Sequence, residues 1–356
     1  MKSFQVNGLQ GLSSIHVGES LSNIGAYLPA GVTPIIITDE TIKTLYGKNF
    51  PDGPVLTIGT GEKIKTLATV ETLLRELIRL SCDRTSFILG IGGGIVSDIT
   101  GFVASVFLRG VDFGFVSTSL LSQVDASVGG KNGVNLDSFK NMVGVFNQPK
   151  FVICDIDLLQ TLPKTEISNG LAEIVKHGLI CDADMLSFLE NNRQKALDLD
   201  PDIIFRLVAD SVAIKSRVVG EDEKEAGKRR ILNFGHTIGH AVETLNQTKQ
   251  TQEKMGLAGH GRAISLGMVA AAMFSQRKKL ISPDEVDRIT SLLRGLNLPV
   301  DLDYRADQII AAASRDKKKQ GSSLHYVFLE AIGTARVEKI PYDEMNDFIR
   351  SVFTGS

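Results

Sequence analysis

The chain is predicted to be a doubly wound α/β unit followed by a mostly helical one. Three observations predict this. Short continuous apolar runs recur through the first ~155 residues, each closed by turn residues. Runs of that kind suit strands covered on both faces, hence a largely parallel sheet. Beyond about residue 157 such runs become scarce and long helical patterns take over. The 34 glycines exceed average usage, which suits tight turns where backbone approaches a ligand.

Taken in order, strands are expected at 34–39, 55–59, 87–93, 114–116 and 150–155, with a helix at 63–80 whose polar side carries Glu76 and Arg79. This β-α-β alternation predicts ligands beyond the carboxyl ends of the strands. In the second half, helices are expected at 170–190, 203–220, 236–245 and 263–279. Ser282-Pro283-Asp284-Glu285 opens another, with proline at the first helical position and acids in the first turn. A late strand pair, 325–329 and 335–340, turns at Gly333. The boundary is placed near residue 157, giving domains 1–157 and 158–356.

Composition excludes several classes. A net charge of -2 and a pI of about 6.3 give no reason to expect a nucleic-acid or membrane partner. Cys82, Cys154 and Cys181 match no disulfide framework and no CxxC pattern, so reduced thiols in a cytoplasmic setting are expected. Met1-Lys2-Ser3-Phe4-Gln5-Val6-Asn7 lacks the apolar core of a signal peptide. The nearest approach to a membrane span, 264–274, is too short.

Chemistry-bearing residues cluster. Gly92-Gly93-Gly94 follows an apolar strand and opens a helical pattern, where free N–H groups and the helix dipole favour an anion; a plain tight turn is the alternative. Asp39 closes a strand, placed either to hold ribose hydroxyls or to cap a helix. Gly61-Glu62-Lys63-Ile64-Lys65 could add nucleotide contacts or simply start a helix. The stretch 117–141 holds Asp125, Gly129-Gly130-Lys131 and Lys140-Asn141, poor core material but suited to a loop recognising an anionic, polyhydroxylated ligand. Arg109 could join as an anion clamp.

In the second half, Glu173 shares a helix face with Lys176 and His177, amid apolar neighbours that oblige it to find a partner. His236 and His240 stand four residues apart on one helix face, and His260 follows. The credible metal ligands are therefore Glu173, His177, His236 and His240, with His260 a fifth, and spacing does not say which three are chosen. Three N/O ligands with open positions would make a catalytic site. Glu223, Glu225, Lys228, Arg229 and Arg230 precede the histidine pair, either as a solvated face or as substrate contacts. Arg315-Asp316-Lys317-Lys318-Lys319 reads as surface unless a phosphate lies nearby.

Read together, these blocks resemble the dehydroquinate synthase family of sugar-phosphate cyclases. GGGxxxDxxGFxAxxxxRG stands at 92–110, QVDxSVGGKxGVN at 123–135 and KNMxGxFxQP at 140–149, followed by LxTLP, GLAEIVK and LNxGHTxGHAxE. The resemblance implies an N-terminal Rossmann-like, NAD-binding α/β domain and a mostly α-helical C-terminal metal- and substrate-binding domain. It implies Glu173, His236 and His260 as ligands of Zn²⁺, with Co²⁺ as an alternative. His177 lies where the family often has tyrosine. Implied substrate groups are Asp125, Lys131, Asn141, Lys176, Lys215, Arg229, Asn233, His240, Lys317 and Lys318, with Arg109 and Lys140 close by. Implied cofactor contacts are Asp39, Glu62, Lys65, Gly93, Gly94, Asp98, Thr118, Ser119, Thr161 and Leu162, with Lys131 and Lys140 counted there too.

The implied reaction turns 3-deoxy-D-arabino-heptulosonate 7-phosphate into 3-dehydroquinate and phosphate, by transient oxidation, β-elimination, re-reduction and aldol closure, in a homodimeric enzyme. A sister cyclase such as 2-deoxy-scyllo-inosose synthase is the alternative. Three departures mark this chain: Arg262 replaces the glutamate of the family's HGE, a polar insert at 247–254 lengthens the spacer before His260, and Phe139 replaces a glycine while Asn132 stands in GGKTG.

Overall fold

The computed structural model describes residues 1–8, 11–137, 139–246, 259–313 and 322–353. The chain forms two compact units, Met1–Leu162 with Ile204–Lys224, and Pro163–Ile203 with Glu225–Ser356. A single break near 157 does not express the return of Ile204–Lys224 to the first unit. That return rests on non-local packing, such as the Phe205 ring 2.8 Å from where a Gly18 Cβ would stand, which local periodicity does not encode.

The first unit is built on a seven-stranded sheet. Its strands are β1 (Lys2–Gly8), β2 (Gly11–Val17), β3 (Ile35–Asp39), β4 (Val55–Ile58), β5 (Phe87–Gly92), β6 (Asp112–Ser117) and, after the separate hairpin β7 (Lys131–Leu136) and β8 (Phe139–Phe146), β9 (Phe151–Cys154). The order is β1-β2-β9-β6-β5-β3-β4, parallel throughout except that β1 pairs antiparallel with β2. Ile36, Leu89, Ile91, Val116 and Ile153 are fully buried in its core, as expected of strands covered on both faces. The expected parallel α/β architecture is therefore observed.

Two hairpins went unpredicted. In β1/β2 only Val6, Ser13, Ile15 and Val17 are buried, so an edge hairpin with polar residues on its other face reads as a polar stretch. The region expected to be a loop, 117–141, contains a π-helical turn at Ser122–Ala126 and then β7/β8. Val134 is buried, and the Asn132 amide donates to the carbonyls of Gly130 at 3.0 Å and Asn147 at 2.8 Å. A buried asparagine on the Val134 face, and a glycine with no side chain on the other, hide the strand's apolar signature.

The second unit is largely helical. The helix expected over 170–190 is two helices, Lys164–Cys181 and Ala183–Asn191, because the Asp182 side chain accepts from the Met185 amide and caps the second. His236–Asn246, His260–Arg277 and Pro283–Gly295 follow, the last with a full capping box between Ser282 and Glu285. The late hairpin is present as β10 (Ser323–Ala331) and β11 (Thr334–Pro341), and helix Tyr342–Val352 follows it. Phe274 of helix His260–Arg277 stacks on Phe348 at 4.2 Å and meets Phe328 edge-on at 5.0 Å, tying helix, hairpin and last helix together. Among the described residues, no helix is long and apolar enough to cross a membrane.

Candidate active site

Asp39, Gly93, Gly94, Thr118 and Ser119, among the expected site residues of the first unit, follow the carboxyl ends of its strands, whereas Arg109 precedes β6. The chain passes from β3 outward to β4, then from β5 to β6 on the other side, so strand order reverses between β3 and β5. In an open α/β sheet, ligands bind outside the carboxyl ends of the strands at such a point. Asp39 ends β3, and Gly93 caps helix Gly94–Val106 directly after β5. No side chain caps that helix, a start of the kind that suits an anion. A Cβ on Gly94 would lie 2.9 Å from that of Ala126, so the helix start and the turn carrying Asp125 lie close together. Thr118 donates its amide to the Gly92 carbonyl at 3.0 Å, and Ser119 Oγ lies beside Gly93. Asp39 Oδ1 accepts the Ile42 amide at 2.9 Å, which makes it a helix cap as well. Thr161 hydrogen-bonds the Tyr46 hydroxyl at 2.7 Å, and the Leu162 amide donates to the Leu159 carbonyl.

A second group forms one polar network. Buried Lys65 pairs with Asp98 and donates to Asn141 Oδ1 at 2.5 Å. The Asn141 amide donates to Asn135 Oδ1 at 2.8 Å, and Asn135 Nδ2 donates to Glu62 Oε1 at 2.7 Å. Asn141 takes a left-handed φ of +52°, which asparagine tolerates better than most residues. Burial pushes the Asp98 carboxyl up from its ordinary value, with the Lys65 charge opposing it. The network joins Glu62, Lys65, Asp98 and Asn141, four of the expected residues, through Asn135, the last residue of the 123–135 motif, whose role no local pattern signals. Lys215 donates to the Asp125 carboxylate and carbonyl, both at 2.6 Å. Lys131 and Lys140 stand exposed on the β7/β8 hairpin. Exposed Arg109 follows Leu108 in a turn where both take positive φ, +70° and +49°.

In the second unit three helices converge. Glu173, fully buried on helix Lys164–Cys181, forms an ion pair with Lys176 one turn on. His236 and His260 are each the first residue of a helix, and their Nε2 atoms lie 3.9 and 3.3 Å from Glu173 Oε1. One ligand atom from each of the three falls within 4.8 Å of the others, so this trio is spaced to hold one ion. The close approach has a backbone cause: a Cβ on Gly267 would stand 1.9 Å from the Gly235 carbonyl oxygen, so only glycine lets these two helices touch.

Electrostatics favour an ionised Glu173 and a neutral His236, but a protonated His260 that must give up a proton to bind an ion. Burial works against the Glu173 charge, but the Lys176 charge and the His260 hydrogen bond hold Glu173 well below the usual carboxylate range. Burial and then the Lys176 charge hold His236 well below its usual value, keeping it neutral, as a ligand must be. Burial works to lower His260, yet its hydrogen bonds with Glu173 and Glu243 carry it up to about 10. His240, one turn beyond His236, is exposed, its ring 5.2 Å from that of His236. Arg229 is buried, and Asn233 donates to the Glu225 carboxylate. Arg262 turns to the Asn297 carbonyl, 3.2 Å from Nη1. His177 is fully buried on the Glu173 helix. Lys317, Lys318 and the insert at 247–254 lie outside the described residues.

Comparison with known proteins adds the following. Residues 55–169 match the family described as 3-dehydroquinate synthase N-terminal, and residues 170–319 that described as 3-dehydroquinate synthase C-terminal. A 3-dehydroquinate synthase of Geobacter sp. (strain M21) is 44% identical over 286 residues, 80% of this chain and 77% of that one. One of Alkaliphilus metalliredigens (strain QYMF) is 35% identical over 343 residues, 94% of each chain. Among solved structures, 2-deoxy-scyllo-inosose synthase complexed with carbaglucose-6-phosphate, NAD⁺ and Co²⁺ superposes with a TM-score of 0.85 at 27% identity, covering 99% of this chain and 100% of that one.

Proposed function

The chain belongs to the 3-dehydroquinate synthase family, and from that premise we infer that it converts 3-deoxy-D-arabino-heptulosonate 7-phosphate into 3-dehydroquinate and phosphate. This makes it a carbon–oxygen lyase of the shikimate pathway, which leads to aromatic amino acids. The observation that carries the reading is the 44% identity to a 3-dehydroquinate synthase, against 27% to the inosose synthase.

Glu173, His236 and His260 would hold the divalent ion, Zn²⁺ or Co²⁺. One carboxylate and two imidazoles that leave positions open form the donor set of a catalytic site, and a buried carboxylate favours a cation beside it. NAD⁺ would take the crevice at Asp39, Gly93 and Gly94, whose uncapped helix start suits a pyrophosphate, with Glu62, Lys65, Asp98, Thr118, Ser119, Lys131, Lys140, Thr161 and Leu162 as further contacts. These assignments make the unit of Met1–Leu162 with Ile204–Lys224 the NAD-binding one, and that of Pro163–Ile203 with Glu225–Ser356 the metal-binding one. When bound, NAD⁺ supplies a hydride acceptor restored within each turnover, and the ion supplies Lewis-acid polarisation of a hydroxyl oxygen.

The chain's own residues then bind, orient and move protons. Lys176, Lys215, Arg229, Lys317 and Lys318, with Arg109, Lys131 and Lys140, would hold the substrate carboxylate and phosphate as cations. Asp125, Asn141 and Asn233 would orient hydroxyls. Exposed His240 would carry a proton, imidazole being the group that titrates nearest neutrality. In the elimination, a substrate carbon would lose a proton as the neighbouring C–O bond to phosphate breaks, with the phosphate leaving as the anion that these cations hold. A homodimer and a cytoplasmic location belong to the same proposal.

The second reading, an inosose-synthase-like cyclase acting on glucose 6-phosphate, is favoured by the structural likeness alone. Purified protein with NAD⁺ and Zn²⁺ should be offered each sugar phosphate, with phosphate release and cyclic product measured. Turnover of the heptulosonate phosphate is expected. Turnover of glucose 6-phosphate in its place would overturn the reading in favour of the second.

A further inference from the structure

We propose that Glu243 is the positioning residue of the metal centre, holding His260 in the tautomer and ring orientation that turn Nε2 toward Glu173 and His236. The inference rests on the ion site proposed above. His260 Nδ1 lies 3.1 Å from Glu243 Oε1, while Nε2 lies 3.3 Å from Glu173 Oε1. Without an ion both ring nitrogens face a carboxylate; with an ion taken at Nε2 the imidazole is neutral, and its one remaining N–H is on Nδ1, donating to Glu243. That leaves the Nε2 lone pair for an ion. The Glu243 side chain is 9% exposed, so water competes little for the bond.

The sequence supplies this carboxylate economically. Glu243 falls seven residues after His236, two helical turns along the same face, so one helix contributes a ligand at its start and a positioning group farther on. His236 is oriented by other means, its Nδ1 3.2 Å from the Phe234 carbonyl. Both imidazoles thus spend Nδ1 on orientation and present Nε2, as metal-binding histidines commonly do. The family's HGE glutamate is Arg262 here, and its guanidinium donates to Asn297, which leaves Glu243 as the acid bonded to His260 Nδ1. The trio His240, Glu243 and His260 is also compact enough for an ion. In that arrangement Glu243 would be a ligand, and the two roles respond differently to substitution.

Zn²⁺ affinity by competition with a chromophoric chelator, and the visible absorption of the Co²⁺ form, should be compared for the unaltered protein, Glu243→Gln and Glu243→Ala. Thermal unfolding of the metal-free forms reports folding. Glu243→Ala is expected to weaken Zn²⁺ binding about 10–100-fold, as loss of such an outer partner typically does. Glu243→Gln keeps an accepting oxygen, so it should lose less and keep the unaltered Co²⁺ band shape. Unchanged affinity in both variants overturns the inference. So does an equal, complete loss in both with altered Co²⁺ bands, which would make Glu243 a ligand. Should Glu243→Ala not fold, Glu243→Gln decides: a partial loss with unchanged bands supports the role, and no loss refutes it. Absence of Zn²⁺ binding by the unaltered protein would instead sink the ion site itself.

Discussion

Gly267→Ala sets two physical effects of opposite sign against each other. Gly267 lies inside helix His260–Arg277, where alanine is intrinsically favoured over glycine by about 1 kcal/mol. Propensity alone therefore predicts a more stable protein. The packing reverses the sign. The new Cβ would stand 1.9 Å from the Gly235 carbonyl oxygen and 2.8 Å from both the Gly235 carbonyl carbon and the Gly239 nitrogen, all backbone atoms that cannot swing aside. Ordinary contact begins at 3.4 Å, so the two helices must part by about 1.5 Å. Overpacking of this kind costs roughly 1–3 kcal/mol, and a backbone clash belongs at the upper end. Net of the propensity gain, about 2 kcal/mol of stability should be lost, lowering the unfolding midpoint by roughly 4–8 °C. The two helices begin with His236 and His260, and metal sites tolerate only about 0.2 Å of ligand displacement. Zn²⁺ affinity should therefore fall on the order of tenfold or more in the same variant. Differential scanning calorimetry and chelator competition measure the two. A variant about 1 kcal/mol more stable than its parent, with unaltered Zn²⁺ affinity, would refute the packing argument and leave propensity in command.

Three further substitutions test the two units. His260→Ala should abolish Zn²⁺ retention through dialysis, whereas His177→Ala should leave it nearly intact; the opposite pattern, read by metal analysis, would remove His260 from the ligand set. Lys65→Met strips Asp98 of the charge that opposes its burial, and breaking a buried pair in this way costs about 3–5 kcal/mol. Burial already raises Asp98, so its ionisation removes stability as pH rises from the ordinary carboxylate range through the raised value. Losing Lys65 raises it further, so the deficit of the variant should be small in acid and full at neutral pH. A denaturant-melt deficit that is independent of pH would show that Asp98 is not the group left unpaired.

The sheet was legible because burial on both faces writes itself as continuous apolar runs, and β3, β5 and β9 fall close to their expected places. The β7/β8 hairpin was not, because the face that carries Val134 also carries the buried polar Asn132, while the other face carries Lys131, Gly133, Met142 and Phe146. Such a strand has no apolar alternation to read, and its partner register is set by backbone pairing and by packing on helix Gly94–Val106. The helix break at Asp182 was obscured for a related reason: apolar residues continue through it, and only the cap marks the interruption. Non-local packing likewise returned Ile204–Lys224 to the first unit.

The candidate site was legible in its residue types and much less in its geometry. His236 and His240, at four-residue spacing, look equivalent in sequence, yet one helical turn separates a part-buried ring facing Glu173 from an exposed one. Spacing fixes the face of a helix but not the depth at which the helix begins, and that depth is set by the glycine contacts with helix His260–Arg277. The same reasoning explains His260. It lies far from Glu173 in sequence and follows an insert, so no local pattern links the two. Its approach depends on helix His260–Arg277 lying against Asn169, where a Cβ on Gly261 would stand 2.2 Å from the Asn169 carbonyl oxygen. The small residues that bring the three helices together thus determine which imidazoles can act as ligands, and their part in the chemistry is carried by the side chains they lack.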